Sequence, residues 1–233
     1  IKAKNVALDI LFPPICLNCQ KPIDDRNKLI CQTCLSLIKF NNTLFCPVCR
    51  ARLPENKKIC HFNSQYLLAT AGNYDDPVLQ NLIHYFKYKS IESLKKPLAE
   101  LIIAYITKEL LTDKLTNSVL VPIPLTLRRK INRGFNQSEL LALEISKYLN
   151  LPVTNLLKRK KITAPQAEIS DWQKRKENIS GAFLIDSRNQ SGRYKKVILI
   201  DDVSTSGATL EEAARVLREA GVKEIYGLVV GKG

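Results

Sequence analysis

From residue 66 onward the apolar positions alternate between two rhythms. Short continuous runs at Tyr66–Tyr74, Val119–Ile123, Val197–Ile200 and Ile225–Val230 have the length and the β-branched content of strands. Between them, Leu79, Leu82, Ile83 and Phe86, then Leu98, Leu101, Ile102, Tyr105 and Ile106, and later Leu141, Ile145 and Leu149 fall three and four residues apart, the spacing of one helix face. Val197–Ile200 is apolar at every position, which predicts a central parallel strand covered on both faces. Leu210, Ala213, Ala214, Leu217 and Ala220 then mark a helix that stops at Gly221, a suitable C′ residue. Regular alternation of strand and helix predicts an α/β domain over 64–233. Residues 1–63 lack this rhythm, so the domain boundary is expected near residues 61–65.

The junction after Val197–Ile200 carries the densest chemistry. Asp201 and Asp202 stand where the strand ends, the edge at which open α/β sheets place ligands, and are positioned to accept hydrogen bonds from sugar hydroxyls. Ser204, Thr205, Ser206, Gly207, Ala208 and Thr209 follow, all small or hydroxylated. Backbone N–H groups there can approach an anion that also feels the helix N-terminus, so a phosphate fits. An ordinary βα turn with a polar cap is the plainer alternative. Two adjacent acids followed by Thr205-x-Gly207-x-Thr209 argue against it.

The first 60 residues hold all seven cysteines, as Cys16-x-x-Cys19, Cys31-x-x-Cys34, Cys46-x-x-Cys49 and Cys60. Pairs with two intervening residues let both thiolates of a knuckle reach one tetrahedral Zn²⁺, so Cys16, Cys19, Cys31 and Cys34 form a complete four-thiolate site. Disulfides and redox-active pairs are the competing readings; the first is unusual in cytoplasm, the second wants a thioredoxin-like context that this segment lacks. The second set is short of a ligand, because Asn63 stands where a fourth knuckle cysteine would. His61 is a legitimate zinc ligand but adjoins Cys60, so this set is left as degenerate, water-completed or metal-free. Small ribbons of this kind gain folding free energy from the metal. A structural role is the plain reading and contact with DNA or a protein, helped by Lys57 and Lys58, the sharper one.

The chain carries a net charge of +14 over 233 residues, and the charge is uneven. Residues 128–176 contain twelve Lys or Arg against four Asp or Glu, so more than half the excess lies in one central region. Such a concentration can meet a pyrophosphate, a nucleic acid, both in succession, or only water. No apolar run approaches the roughly 18 residues of a membrane span, and no signal-peptide pattern opens the segment, so the expected compartment is the cytoplasm.

The Asp201–Thr209 segment resembles the signature of type I phosphoribosyltransferases. The resemblance implies that the acidic pair takes the ribose 2′- and 3′-hydroxyls of phosphoribosyl pyrophosphate (PRPP), that the loop takes its 5′-phosphate, and that helices cover both faces of a parallel sheet. It also implies Mg²⁺ bound with PRPP, and a pyrophosphate facing the cationic loop after Val121-Pro-Ile-Pro124, where Arg128, Arg129 and Arg133 offer guanidinium forks.

In order along the chain, the knuckles, Leu82-Ile-His-Tyr-Phe-Lys87-Tyr88, Val121-Pro-Ile-Pro124, Arg133-Gly-Phe-Asn-Gln137, Thr163-x-x-Gln166 and the acidic loop resemble the ComF (ComFC-type) competence family over nearly the whole length. That resemblance implies a zinc ribbon before a phosphoribosyltransferase-like domain. It further implies handling of incoming single-stranded DNA in natural transformation, and DNA-uptake or recombination proteins as partners. Lys158, Arg159, Lys160 and Lys161 lie where the transferases carry a mobile loop that closes over substrate; the same run could track a DNA backbone, with Trp172 packing or stacking on a base. His84 is expected to be structural or solvated, and Lys87 or Lys89 to reach phosphate only weakly. Three roles stay open at this point: a DNA-handling competence protein that uses PRPP, a phosphoribosyltransferase acting on a small amine or base, and a sensor that binds PRPP without turnover.

Overall fold

The computed structural model describes residues 13–53, 60–61, 63–109, 111–161, 163, 171–186, 188 and 194–233. Lys57, Lys58, Gln166 and the side chain of Trp172 lie outside the described residues. The elements are α1 (Gln32–Leu37), β1 (Leu44–Phe45), β2 (Arg52–Leu53), β3 (Leu67–Asn73), α2 (Pro77–Tyr88), α3 (Lys95–Lys108), α4 (Thr112–Leu115), β4 (Val119–Pro122), α5 (Leu127–Arg133) and α6 (Gln137–Leu149). They continue with β5 (Leu157–Arg159), α7 (Trp172–Ile179), β6 (Phe183–Ile185), β7 (Lys196–Ser204), α8 (Ala208–Glu219) and β8 (Glu224–Lys232).

One sheet runs β2-β1-β3-β8-β7-β4, with β3, β8, β7 and β4 parallel, and β5 pairs with β6 as a separate antiparallel hairpin. Helices cover both faces, and the side-chain period of two sorts the strands cleanly between them. Ile198 and Ile200 of β7, Leu228 and Val230 of β8, and Leu120 of β4 pack with α2, α3 and α6. Val197 and Leu199, Ile225 and Val229, and Val119 and Val121 pack with α8 and the β5–β6 hairpin. Each fully buried aliphatic side chain contributes about 1.5–3 kcal/mol, so the central strands anchor the molecule from both sides.

The amino-terminal segment is built into this sheet. β1 pairs antiparallel with β3 through Phe45 opposite Leu68, and Cys16, Ile30, Cys34 and Ile38 share the buried cluster of α2 and α3. Tyr105 of α3, fully buried, donates its hydroxyl to the Thr43 carbonyl at 2.8 Å. Asp76 caps α2 by accepting from the N–H groups of Val78 and Leu79 at 3.0 and 3.1 Å, with Pro77 in the first turn.

The structure adds detail to two expectations. β7 extends four residues past the apolar run to Ser204, so both acids are strand residues. The cation-rich stretch expected as a loop contains helix α5, which forms because Thr126 accepts from the Arg129 N–H at 3.3 Å and Gly134 supplies a left-handed stop at φ +79°.

Gly227 marks the tightest packing between sheet and α8. A Cβ there would stand 2.9 Å from Tyr66 Cε2 and 3.0 Å from Leu210 Cδ1, both buried. Gly227→Ala is expected to cost about 1–3 kcal/mol by overpacking, read as a lower midpoint in urea unfolding with the slope unchanged.

Candidate functional site

The carboxyl ends of β3 and β7 bound a cleft of about 110 Å³, lined by Tyr74, Lys87, Tyr88, Asp201 and the stretch Val203–Leu210. Within it, Ser204 ends the strand, Gly207 turns at φ +77° as the N-cap of α8, and the helix begins at Ala208, whose N–H donates to Ser206 Oγ at 3.4 Å. The first N–H groups of a helix lack intrahelical partners, so the opening of α8 offers donors and a positive dipole end to an anion.

Asp201 and Asp202 differ in surroundings. Asp202 is buried and pairs with the Lys87 ammonium at 2.8 Å. Asp201 Oδ1 accepts from the Ser138 hydroxyl at 3.0 Å and from the Asp202 N–H at 2.9 Å. Burial, and next the Asp202 carboxylate, push Asp201 up to about 7 against the Lys87 charge. Burial opposes the charge on Lys87, but the Asp202 carboxylate outweighs it and the net shift is upward.

The Arg133-Gly-Phe-Asn-Gln137 string positions this pair from below. Phe135 packs on Phe86 with ring centroids 5.5 Å apart; Asn136 caps α6 and donates to the Ile123 carbonyl at 3.0 Å. That geometry presents Ser138, one residue past the string, to Asp201. Arg133 donates to Gln137 Oε1 at 3.0 Å and lies 5.5 Å over the Tyr88 ring at the cleft's rim.

The other predicted cations separate. Arg128 is exposed, whereas Arg129 donates to the Thr163 carbonyl at 2.8 Å. Arg159 turns inward: it donates to the Thr163 hydroxyl, reaches the Pro124 carbonyl at 3.4 Å and lies 5.3 Å over Phe183. Burial, then the Arg129 charge, lower Arg159 to about 10, with Asp201 acting in the opposite sense. Lys158 pairs with buried Asp186 at 2.8 Å, so of the run Lys158–Lys161 only Lys160 and Lys161 are exposed.

Two further residues stand at this cleft. Lys87 is readable in the sequence only as a weak phosphate candidate at the end of a helix, and Arg175 only as part of Lys174-Arg-Lys176. Arg175 of α7 donates to Thr205 Oγ1 at 3.1 Å, while Lys176 pairs with Glu211 of α8 at 3.1 Å, so α7 lies against the Ser204–Gly207 turn. His84 is exposed and stands beside Tyr88, ring centroids 5.0 Å apart, without itself lining the cleft. A larger cavity of about 570 Å³ opens at the opposite, amino ends of β3, β7 and β8. Two of its four cations are engaged by backbone: Lys196 holds the Lys114 carbonyl at 3.1 Å, and Arg218 the Gln65 and Lys223 carbonyls.

Both cysteine sets gather into donor clusters whose ligand atoms lie within 4.8 Å of one another: Cys16, Cys19, Cys31 and Cys34, and Cys46, Cys49, Cys60 and His61. All seven cysteines are free thiols. The separations of 3.7 Å for Cys19–Cys31 and 3.6 Å for Cys49–Cys60 far exceed a disulfide bond. The knuckles share one backbone: Gln20 and Arg50 stand at φ +59° and +60°, donating to the carbonyls of Cys16 and Cys46 at 2.9 and 2.8 Å. Donation to sulfur from the N–H of Cys31, the N–H of Cys34 and the Asn18 amide suits thiolates holding a cation. His61 Nδ1 lies 3.4 Å from Cys46 Sγ and completes the second set that spacing alone left open.

Comparison with known proteins gives two matched domains: a phosphoribosyl transferase domain over residues 131–230 and a double zinc ribbon domain over residues 7–62. Over 156 residues the chain is 35% identical to Competence protein F of Haemophilus influenzae, covering 66% of this chain and 67% of that protein. It is 39% identical over 103 residues to Competence protein ComFC of Bacillus subtilis, covering 44% of this chain and 39% of the other. DNA utilization protein YhgH of Escherichia coli is 32% identical over 164 residues, 68% of either chain. A solved purine phosphoribosyltransferase from Pyrococcus horikoshii covers 58% of this chain and 86% of its own at 16% identity, with a TM-score of 0.32, too low to carry weight. Among the described residues no helix is long and apolar enough to cross a membrane.

Metal analysis of protein purified without chelator is expected to give about two zinc per chain, falling to about one in His61→Ala with the Cys16 set intact. Retention of both would remove His61 from the ligand set. The raised Asp201 makes the folded state hold a proton that the unfolded chain, near 3.9, has released. Its contribution to stability therefore grows as pH falls through about 7. Ligand-free protein should gain thermal stability between pH 8 and pH 6, and Asp201→Asn should shrink that gain.

Proposed function

This chain belongs to the ComF family of competence proteins, of the ComFC type, and from that premise we propose that it serves DNA uptake by binding PRPP in the β3–β7 cleft while handling incoming single-stranded DNA in the cytoplasm. The observation that carries the PRPP half is the meeting of Asp201 and the Ser204–Thr209 turn in one cleft, with Asp202 buried next to Asp201 on the same strand. The 5′-phosphate lies against the opening of α8, where Thr205, Ser206 and Thr209 add hydroxyls and Arg175 a guanidinium. The ribose hydroxyls donate to the acidic pair. The pyrophosphate extends toward Arg133 and the Arg129–Arg159 pair, with exposed Arg128 as an outer contact.

In a transfer reaction these residues position the sugar and neutralise the leaving group, and no protein nucleophile is required. Mg²⁺ supplies charge neutralisation of pyrophosphate. The acidic pair does not fit a resident Mg²⁺, because Asp202 is already paired with Lys87 and Asp201 is occupied by two donors. A divalent ion in this cleft is therefore one that the ligand carries on its phosphates.

The DNA half rests on the family and on charge. Arg128, Lys130, Lys160, Lys161, Lys174 and Lys176 are exposed cations, the sequence-independent footprint that a phosphate backbone requires. The zinc ribbons are structural, holding the amino-terminal segment on the sheet.

Titration with PRPP and Mg²⁺, with and without labelled single-stranded DNA, tests this. Asp201→Asn/Asp202→Asn should weaken PRPP binding at least tenfold, and DNA affinity should fall steeply with salt. PRPP affinity unchanged in the double variant would sink the cleft assignment; salt-insensitive or undetectable DNA binding would sink the DNA half.

A further inference from the structure

We propose that Lys87 is the resident counter-ion of the acidic pair, an internal ammonium that takes the place of a divalent cation and keeps free metal out of the sugar site. Its Nζ lies 2.8 Å from Asp202 Oδ1, with the two side chains 17% and 8% exposed, so the pair is largely withdrawn from water. Lys87 lines the cleft together with Asp201, Tyr88 and the Ser204–Thr209 turn.

With Lys87 removed, the buried Asp202 carboxylate next to Asp201 would be left without its cation, a hard oxygen donor of the kind that Mg²⁺ or Mn²⁺ binds readily. Here the charges are already distributed. Lys87 cancels one, and Ser138 and the Asp202 N–H occupy one Asp201 oxygen. The nearby guanidinium of Arg159 is held by Thr163 and the Pro124 carbonyl and cannot substitute for Lys87 without leaving them.

Lys87 comes from α2, an element that the phosphate turn does not contain. Its helix is fixed by the buried face Leu79, Leu82, Ile83 and Phe86, which places the last turn over the carboxyl end of β7. A sugar diol can donate to the acidic pair while the ammonium stays, whereas a metal ligated directly by Asp202 must displace it.

The purpose given to this exclusion rests on the sugar-site reading above; the exclusion itself is measured without PRPP. Zinc-loaded full-length protein is titrated with Mn²⁺ and free Mn²⁺ followed by electron paramagnetic resonance, with zinc content checked before and after. Wild type should show no Mn²⁺ binding above that of Asp201→Asn/Asp202→Asn. Lys87→Met should bind Mn²⁺ at least tenfold more tightly than wild type, and adding both Asp→Asn changes should abolish the gain. Lys87→Gln, polar and of similar length, should behave as Lys87→Met, which guards against a folding defect, and Lys87→Arg as wild type.

Equal Asp-dependent binding by wild type and Lys87→Met, or no gain in either neutral variant, overturns the proposal. A second titration, with PRPP, separates the two readings. Mg²⁺ should improve PRPP affinity less in wild type than in Lys87→Met. A protein that excludes Mn²⁺ through Lys87 but binds no PRPP keeps the counter-ion and loses the sugar site.

Discussion

Strand β7 can stay apolar on both faces only for as long as helices cover it, and the site is set by where that cover ends. From Val197 to Ile200 alternate residues enter the two buried clusters. At Asp201 the strand continues, in register with Val229 of β8, but its side chains reach the open carboxyl edge. Backbone pairing through Ser204 holds the acidic pair on a rigid element and leaves only a short turn before α8. The Ser204–Gly207 turn and the adjacent acids thus inherit their precision from a strand whose burial is settled four residues earlier.

Much of this was legible in the sequence. Apolar run, acids, small residues and helix face are local signals, and each matches an element whose environment is local too. The continuation of β7 to Ser204 was not, because charged residues at a strand end carry no periodicity. Helix α5 was hidden for another reason: Leu127 and Ile131 point to solvent at 75% and 70% exposure, so no apolar face marks it. Its stop at Gly134 was visible; its start depended on a Thr126 cap that also reads as a loop residue.

The cations show the limit most clearly. Lys158-Arg-Lys-Lys161 reads as one basic run, but strand alternation in a hairpin sends Arg159 toward Phe183 and Thr163 and pairs Lys158 with Asp186. Asp186 is 28 residues away in sequence, and no window of the chain contains that pairing. Lys87 is the same case at greater distance, a common helix-end lysine whose meaning appears only when α2 crosses the end of β7. His61 stayed an open case on knuckle spacing, because a ligand set is completed in space, here by a donor from beyond β2 that stands beside Cys46.

The pairing of β1 with β3 has a consequence beyond holding the ribbons in place. β3 would otherwise be an edge of the parallel sheet, with a row of unpaired amides and carbonyls beside Leu68 and Ala69. The ribbon caps that edge, and the strand that does so is only two residues long, with Cys46 immediately after it. Metal held at the second cluster would therefore do more than fix the ribbon: by keeping β1 on β3 it would leave no open edge there for another strand to pair with.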